Sequence, residues 1–413
     1  MVVVGLGLAG LTAALAAAGR GARVLALGKG YGTTHFRSGT VDVLGYLQEE
    51  VVGAPREALA ALAERSPQHP YVGLGDHLEG ALGFLRDAAG RGGVVLLGDL
   101  DRNQLVATAA GTLRPTCLAP PSLLGTWDGA RVLALGLGGF RDFDPELVAA
   151  VLPAAAARLG LEVTVRPARL SLAPLARRHL DGPALARLLD RPSFRRQLVE
   201  AVRPLARECT LLALPAVLGL EPDTAAALSA ELGPVAELPG LPPSVPGMRL
   251  QRALERALRE RGGRLQVGAE ARLECASGRA RALQLAAPGR QLWLPVRSVV
   301  LATGGLASGG LRLEPSGVVE PVANLPVVQP PGPPEGWFRE RFVGDQGQPV
   351  DLAGVRADAS MRPLDAEGRV VVENLFVAGG LLAGAERSLE RSADGIACAS
   401  GYVAGLRAAE AAA

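Results

Sequence analysis

Apolar positions open the chain as a block. Val2, Val3 and Val4 form a continuous β-branched run, the pattern of a strand buried on both faces of a parallel sheet. Gly5, Gly7 and Gly10 follow at once in GxGxxG spacing, and an alanine- and leucine-rich stretch then predicts a helix from about Leu11 to Ala18, stopped by Gly19 and Gly21. A second strand is predicted over Val24 to Leu27. Strand, glycine turn, helix and strand in this order open a dinucleotide-binding βαβ unit. In that unit Gly5 allows the tight turn, Gly7 lets a phosphate approach the backbone, and Gly10 lets the helix pack closely on the strand. The chain holds 53 glycines in 413 residues, so the spacing alone would arise by chance about once; its position between strand and helix is what carries the reading.

The same kind of pattern returns twice. Leu250, Ala253, Leu254, Ala257 and Leu258 share one helical face stopped by Gly262 and Gly263. A strand over Arg264 to Val267, strand-like segments around turns at Ser277-Gly278 and Pro288-Gly289, and a strand over Ser298 to Leu301 running into Ala302-Thr303-Gly304-Gly305 come next. The second return is the buried-type strand in Leu375 to Gly380, followed by a helix over about Ile396 to Ala409. Three strand-to-glycine turns, near Gly5, Thr303 and Gly379, gather at the carboxyl ends of parallel strands if they share one sheet, where open α/β sheets bind ligands. Thr303, Gly304, Gly379 and Gly380 are therefore cofactor-site candidates. A helix starting near Gly395 would aim its positive end at the electron-rich end of a flavin.

Between these returns, Gly30 to Leu47 reads as a loop hugging the ligand. Gln48 to Gly240 alternates short helices and strands, including Glu57 to Ala63, Val94 to Leu97, Arg131 to Leu135 and Cys209 to Leu214; Leu241 to Gly247 is a proline-rich boundary. The expected fold is α/β: a doubly wound, Rossmann-like domain of the FAD/NAD(P)-binding type built from residues 1–47, 241–315 and 355–413. It carries an inserted α/β substrate or cap domain over 48–240, and 316–354 forms a connecting or cap segment.

Composition narrows the function. A net charge of +2, with no basic run interleaved with aromatics, argues against nucleic acid. Cys117, Cys209, Cys275 and Cys398 are scattered without ligand-like spacing, which predicts reduced thiols and no iron–sulfur or zinc site. No signal peptide or run of about 18 apolar residues is read, so a cytoplasmic chain is expected, with any membrane association supplied by a partner. Lys29 is the one lysine among 43 basic residues. It stands where FAD and NAD sites usually place an acid for the adenosine ribose; the strand ends instead in Gly28 and Lys29, whose ammonium suits a phosphate. The absent acid points to altered cofactor choice, FMN or an unusually held FAD.

The segments THFRSGTVDVLGYL (34–47), TLRPTCL (112–118), LPPSVPGMRLQRAL (241–254), LATGGLASGGL (301–311) and ENLFVAGGLLAG (373–384) together resemble the B subunit of anaerobic glycerol-3-phosphate dehydrogenase over nearly the whole chain. The resemblance implies an FMN flavoprotein, with FAD as the alternative, in a three-subunit enzyme. That enzyme oxidises sn-glycerol 3-phosphate to dihydroxyacetone phosphate and passes electrons to the quinone pool. It also implies an FAD-containing catalytic partner subunit and a cysteine-rich iron–sulfur subunit that anchors the pair peripherally at the inner membrane. The four cysteines without clusters agree with that division.

Individual candidates follow. His35, in the loop after the second strand, is placed to reach the flavin or accept a proton. Arg37 would contact phosphate, while Ser38 and Gly39 would bond the flavin through their backbone. Arg249 and Arg114 are guanidiniums able to hold a phosphate dianion in bidentate fashion. His69, His77 and His179 read as structural or exposed. If chemistry occurs here, a proton leaves the secondary hydroxyl as hydride passes to flavin N5; otherwise the subunit relays electrons. A stand-alone FAD-dependent oxidoreductase and a non-enzymatic flavin-fold scaffold are the competing readings.

Overall fold

A computed structural model describes residues 1–172, 175, 179–287, 290–341 and 346–413. The predicted turn at Pro288-Gly289 lies outside the described residues. Five parallel strands form the central sheet in the order Arg264–Val267, Leu25–Gly28, Val2–Val4, Val299–Leu301, Leu375–Val377. Numbered along the chain this is 3-2-1-4-5, the strand order of a doubly wound nucleotide-binding sheet. The order reverses between Val2–Val4 and Val299–Leu301, paired in register Val3 to Val300. Both strands run directly into glycine turns, so the two turns share the sheet's switch point.

Helices pack together in one layer against the sheet. Leu8–Gly19 packs along the C-terminal helix Ala393–Ala412, and the approach is close because Gly401 and Gly405 lie against the backbone of Ala9 and Ala13; a Cβ at either would overlap a carbonyl oxygen. Helix Val245–Glu260 packs beside them, its apolar stripe running through Leu250, Ala253, Leu254, Ala257 and Leu258 as the spacing predicts. A three-stranded antiparallel meander, Glu270–Ala276, Arg279–Ala287 and Arg290–Pro295, follows. Its first turn is at Ser277 (φ 50°) and Gly278 (φ 69°), the positive-φ pair of a tight hairpin.

The inserted unit has its own parallel sheet, in the order Val235–Leu238, Leu211–Pro215, Ala130–Leu137, Val163–Leu170, and its own core from Ala107 to Met248. It begins later than the expected boundary at residue 48. Helices Pro55–Arg65 and Pro70–Arg91 put Leu62, Leu74, Leu78 and Leu85 into the core of the first sheet, together with Cys117 and Leu118. Chain position groups these helices with the insertion, yet Pro70–Arg91 packs its apolar face on the C-terminal helix. Val94–Leu97 is not a strand; it makes one bridge, Leu97 to Ala119. The 316–354 segment contributes Val318, Leu325, Trp337 and Val350 to the first core, so it packs as part of that unit rather than merely connecting.

Candidate functional site

A cleft of about 1250 Å³ opens at the switch point. It runs from Gly28, Lys29, Gly30 and Glu270 at one end, across Gly5 to Ala9 and Thr303 to Leu306, to Arg37, Gly380, Ala393, Asp394 and Ala397 at the other. The glycines at its centre differ in what they do. Gly5 has φ 122°, and a Cβ there would overlap the Ala302 carbonyl; a Cβ on Gly10 would overlap the Gly5 carbonyl. Both are required by the chain's own packing. Gly7 is not: its Cβ would stand 3.6 Å from Gly32 Cα and 4.0 Å from Thr34 Oγ1, ordinary contacts. A bare backbone at Gly7 beside the first turn of Leu8–Gly19 leaves room for a phosphate against helix amides. Thr303 Oγ1 is a second fitting feature, a buried hydroxyl in the cleft lining with no partner.

Supports for this turn come from residues the sequence did not single out. Thr34 Oγ1 accepts the Leu8 N–H at 2.8 Å, and Gln251 Nε2 donates to the Leu6 carbonyl at 3.0 Å from the facing helix. Gly32 backs onto Gly7 so closely that its own Cβ would sit 2.3 Å from Gly7 Cα.

Several candidates do not reach the cleft. His35 stacks on Tyr31 with ring centroids 4.6 Å apart and meets Phe36 edge-on; Phe36 and Tyr31 line the cleft, His35 does not. Burial, then the Arg252 charge, lowers its pKa against the pull of Glu255, so it is neutral at pH 7. Arg249 is buried in a two-bond ion pair with Glu237 (2.7 and 2.6 Å), and its Nε donates to the Gly219 carbonyl at 2.7 Å. Glu237 lies on the inserted sheet and Arg249 on helix Val245–Glu260, so the pair ties the two units together. Ser38 and Gly39 also sit outside the lining: Ser38 Oγ meets Arg114, and Gly39 (φ 75°) packs its backbone on Pro246. Gly379 packs on Ala9 and Gly395 on Tyr71, whereas Thr303, Gly304 and Gly380 do line the cleft.

Arg114 is committed inward. Its Nη1 donates to both Asp42 oxygens at 3.0 Å and its Nη2 to Ser38 Oγ and Thr40 Oγ1. Burial opposes ionisation of Asp42, but Arg114, a 2.6 Å bond from Thr116 Oγ1, Arg37 and Arg391 outweigh it and hold the carboxyl below its ordinary range. Arg37, half-open to the cleft, donates through Nη1 to Asp394 Oδ1 at 2.6 Å, and the Asp42 amide donates to Asp394 Oδ2 at 3.3 Å. For Asp394 burial prevails, reinforced by the Asp42 charge, and its pKa rises despite Arg37 and Arg114. The first turn of the C-terminal helix thus presents an acid to the cleft. Its charge opposes the positive helix end, a modification of the simple dipole reading.

At the other end, Lys29 and Glu270 form an exposed ion pair. His69 is structural as expected: its Nδ1 caps Pro70–Arg91 by accepting the Tyr71 N–H, and its Nε2 meets Glu390 at 3.1 Å. Burial pushes the Cys117 thiol up to about 12 and the Cys398 thiol higher. Among the described residues no three His, Cys, Asp or Glu gather as a metal site, and no helix is long and apolar enough to cross a membrane.

The family model for the FAD binding domain matches residues 1–393. Relatives match over most of the chain: a Yersinia pestis protein is 32% identical over 93% of this chain and 92% of its own length. A Pectobacterium atrosepticum protein is 32% identical over 97% and 96%, and a Vibrio cholerae protein 31% identical over 97% and 94%. All three bear the name of the B subunit of anaerobic glycerol-3-phosphate dehydrogenase. The chain belongs to that B-subunit family. It is a flavin-binding oxidoreductase chain of Rossmann-like α/β fold. A subunit name carries membership of a multisubunit complex with it.

Proposed function

We propose that this chain is a flavin-bearing subunit of a complex that oxidises sn-glycerol 3-phosphate to dihydroxyacetone phosphate and delivers the electrons to quinone. The switch-point cleft is its flavin site, with FMN as the resident cofactor in this reading and FAD as the alternative. What supports FMN is the end of the second strand, where Gly28 and Lys29 stand in place of the acid that usually holds an adenosine ribose. Bound flavin supplies a two-electron acceptor at N5. Gly7 and the first turn of Leu8–Gly19 would hold the flavin's phosphate, Thr303 to Gly305 and Gly380 the isoalloxazine side, and Arg37 an anion at the rim.

Partners in this reading are an FAD-containing catalytic subunit and an iron–sulfur subunit that holds the pair peripherally at the membrane. Electron relay from that catalytic partner is favoured over direct substrate oxidation by the make-up of the flavin end. Among the described residues lining the cleft there, Asp394 is the one acid, and both its oxygens are engaged by Arg37 and the Asp42 amide. His35 and Arg249, the candidates for base and phosphate holder, stand elsewhere. The test is anaerobic: purified holoprotein is mixed with glycerol 3-phosphate, alone and with the partner subunit, and the flavin absorbance followed. Bleaching only with the partner supports relay, bleaching alone supports direct oxidation, and no bleaching in either case refutes the substrate. Chromatography of the released cofactor decides FAD against FMN.

A further inference from the structure

We propose that Asp394, held by Arg37, is the proton-coupling residue of the redox step: it gains a proton as the flavin is reduced and so leaves the Arg37 cation uncompensated at the flavin end of the cleft. This rests on the flavin-site reading above. Arg37 belongs to the loop after the second strand and Asp394 to the first turn of the C-terminal helix, 357 residues away, and both line the cleft beside Gly380 and Ala397. Their side chains are 38% and 9% exposed. Among the described residues two hydrogen bonds reach Asp394: Arg37 Nη1 donates to Oδ1 at 2.6 Å and the Asp42 amide to Oδ2 at 3.3 Å. A carboxylate has about four lone-pair positions, so Oδ2, with its one long bond, accepts a proton without displacing Arg37.

The surroundings make this acid the responsive member of its cluster. Arg37 and Asp42 face it from the loop after the second strand, Arg114 from strand Leu113–Thr116, Tyr71 from helix Pro70–Arg91 and Cys398 from its own helix. Tyr71 and Cys398 are neutral, since burial raises both. Asp42 stays ionised, because Arg114 donates to both its oxygens and Arg391 lies 4.0 Å away. Asp394 therefore has a fixed negative charge behind it and one cation in front, and burial already raises its pKa. Electrons arriving on the cleft side add negative charge there, which draws a further proton to the acid. In balance, two electrons pass from glycerol 3-phosphate through the complex to the flavin, and one proton beyond those the flavin binds passes from water to Asp394 Oδ2. The coupling is reciprocal: the ionised acid makes the flavin harder to reduce by the same factor by which reduction strengthens proton binding at the acid.

The test is a potentiometric titration of the flavin-loaded full-length protein from acid to alkaline pH, for wild type, D394N, R37M and the double variant. Asparagine keeps an acceptor for Arg37. Above the raised pKa, where wild type carries the charge, D394N should be about tenfold to a hundredfold easier to reduce, about 30–60 mV for a two-electron couple, the size of one unit charge near a part-buried group. R37M should shift the opposite way by a similar factor, and the double variant, which removes both charges, should return toward wild type. As pH falls the wild-type and D394N curves should converge, the wild type being steeper by up to about 30 mV per pH unit for its extra proton. Curves of equal position and slope refute the coupling and leave the flavin reading in place. Weaker flavin binding in D394N and R37M with the potential of the bound flavin unchanged also overturns it, because a merely structural pair moves affinity and not potential. A protein that binds no flavin overturns both.

Discussion

Replacing Arg249 with Met separates a structural arginine from a substrate-binding one. Arg249 is 7% exposed and Glu237 fully buried, and the substitution removes two short charge-assisted bonds plus the bond to the Gly219 carbonyl. Glu237 keeps Ser122 Oγ at 2.6 Å and the Leu218 N–H at 2.9 Å but has no cation left. Stranding one member of a buried pair costs about 3–5 kcal/mol. The double variant E237Q/R249M keeps an acceptor for the Leu218 N–H and offers an amide donor to Ser122 Oγ while removing the stranded charge. It should therefore regain about 0.5–3 kcal/mol relative to R249M alone, the range of coupling between residues in contact. Urea unfolding followed by tryptophan fluorescence is the assay, since Trp127 sits in the inserted core and Trp337 in the first. With two cores, midpoints are compared rather than a single two-state free energy. Flavin affinity of R249M, measured well below the midpoint, should match wild type. A normally stable R249M protein that binds flavin but is no longer reduced in the assembled complex would refute this account and return Arg249 to the substrate.

Gly7→Val should fold, by far-ultraviolet circular dichroism, yet lose flavin, because the chain leaves space for its Cβ and the phosphate does not; unchanged affinity would make the turn merely structural. Gly10→Ala should instead destabilise by about 1–3 kcal/mol or more, since its methyl overlaps the Gly5 carbonyl backbone; a wild-type urea midpoint would contradict the strand-helix contact. Asp394 binds a proton more tightly folded than unfolded, so its contribution is present below the ordinary carboxylate value of about 4 and is lost as pH rises through the raised one. The stability of wild type should therefore fall relative to Asp394→Asn across that interval. Asp42 is opposite in sign: its contribution is present above the ordinary value and lost as pH falls through the lowered one. Asp42→Asn should thus be about 3–5 kcal/mol less stable at pH 7, with Arg114 left unpaired, and the gap should close in acid.

Local pattern carries the central sheet. Val2–Val4, Val299–Leu301 and Leu375–Val377 are short apolar runs followed by glycine, and that signal survives because each strand is buried on both faces. Gly5 and Gly10 are legible for the same reason, as positions where backbone meets backbone. Pro55–Arg65 and Pro70–Arg91 belong to a stretch legible as alternating helices and strands, but their place in the first core is not legible, because an apolar face does not say which sheet it covers. The arginines are hardest. Arg37, Arg114 and Arg249 look alike in sequence, yet one faces the cleft, one is closed around Asp42 and one bridges the two units, and only the position of the acid partner tells them apart.

Those acid partners explain why spacing alone leaves the site incomplete. Asp394 is 357 residues from Arg37, and Glu270 is far along the chain from Lys29; neither has a motif around it. Strand order supplies what spacing does not. In a 3-2-1-4-5 sheet the third strand lies beside the second however long the intervening insertion, so an acid just after Val267 faces the same cleft wall as Gly28. In this chain Glu270 stands there, and it is paired with Lys29 at the end of the second strand.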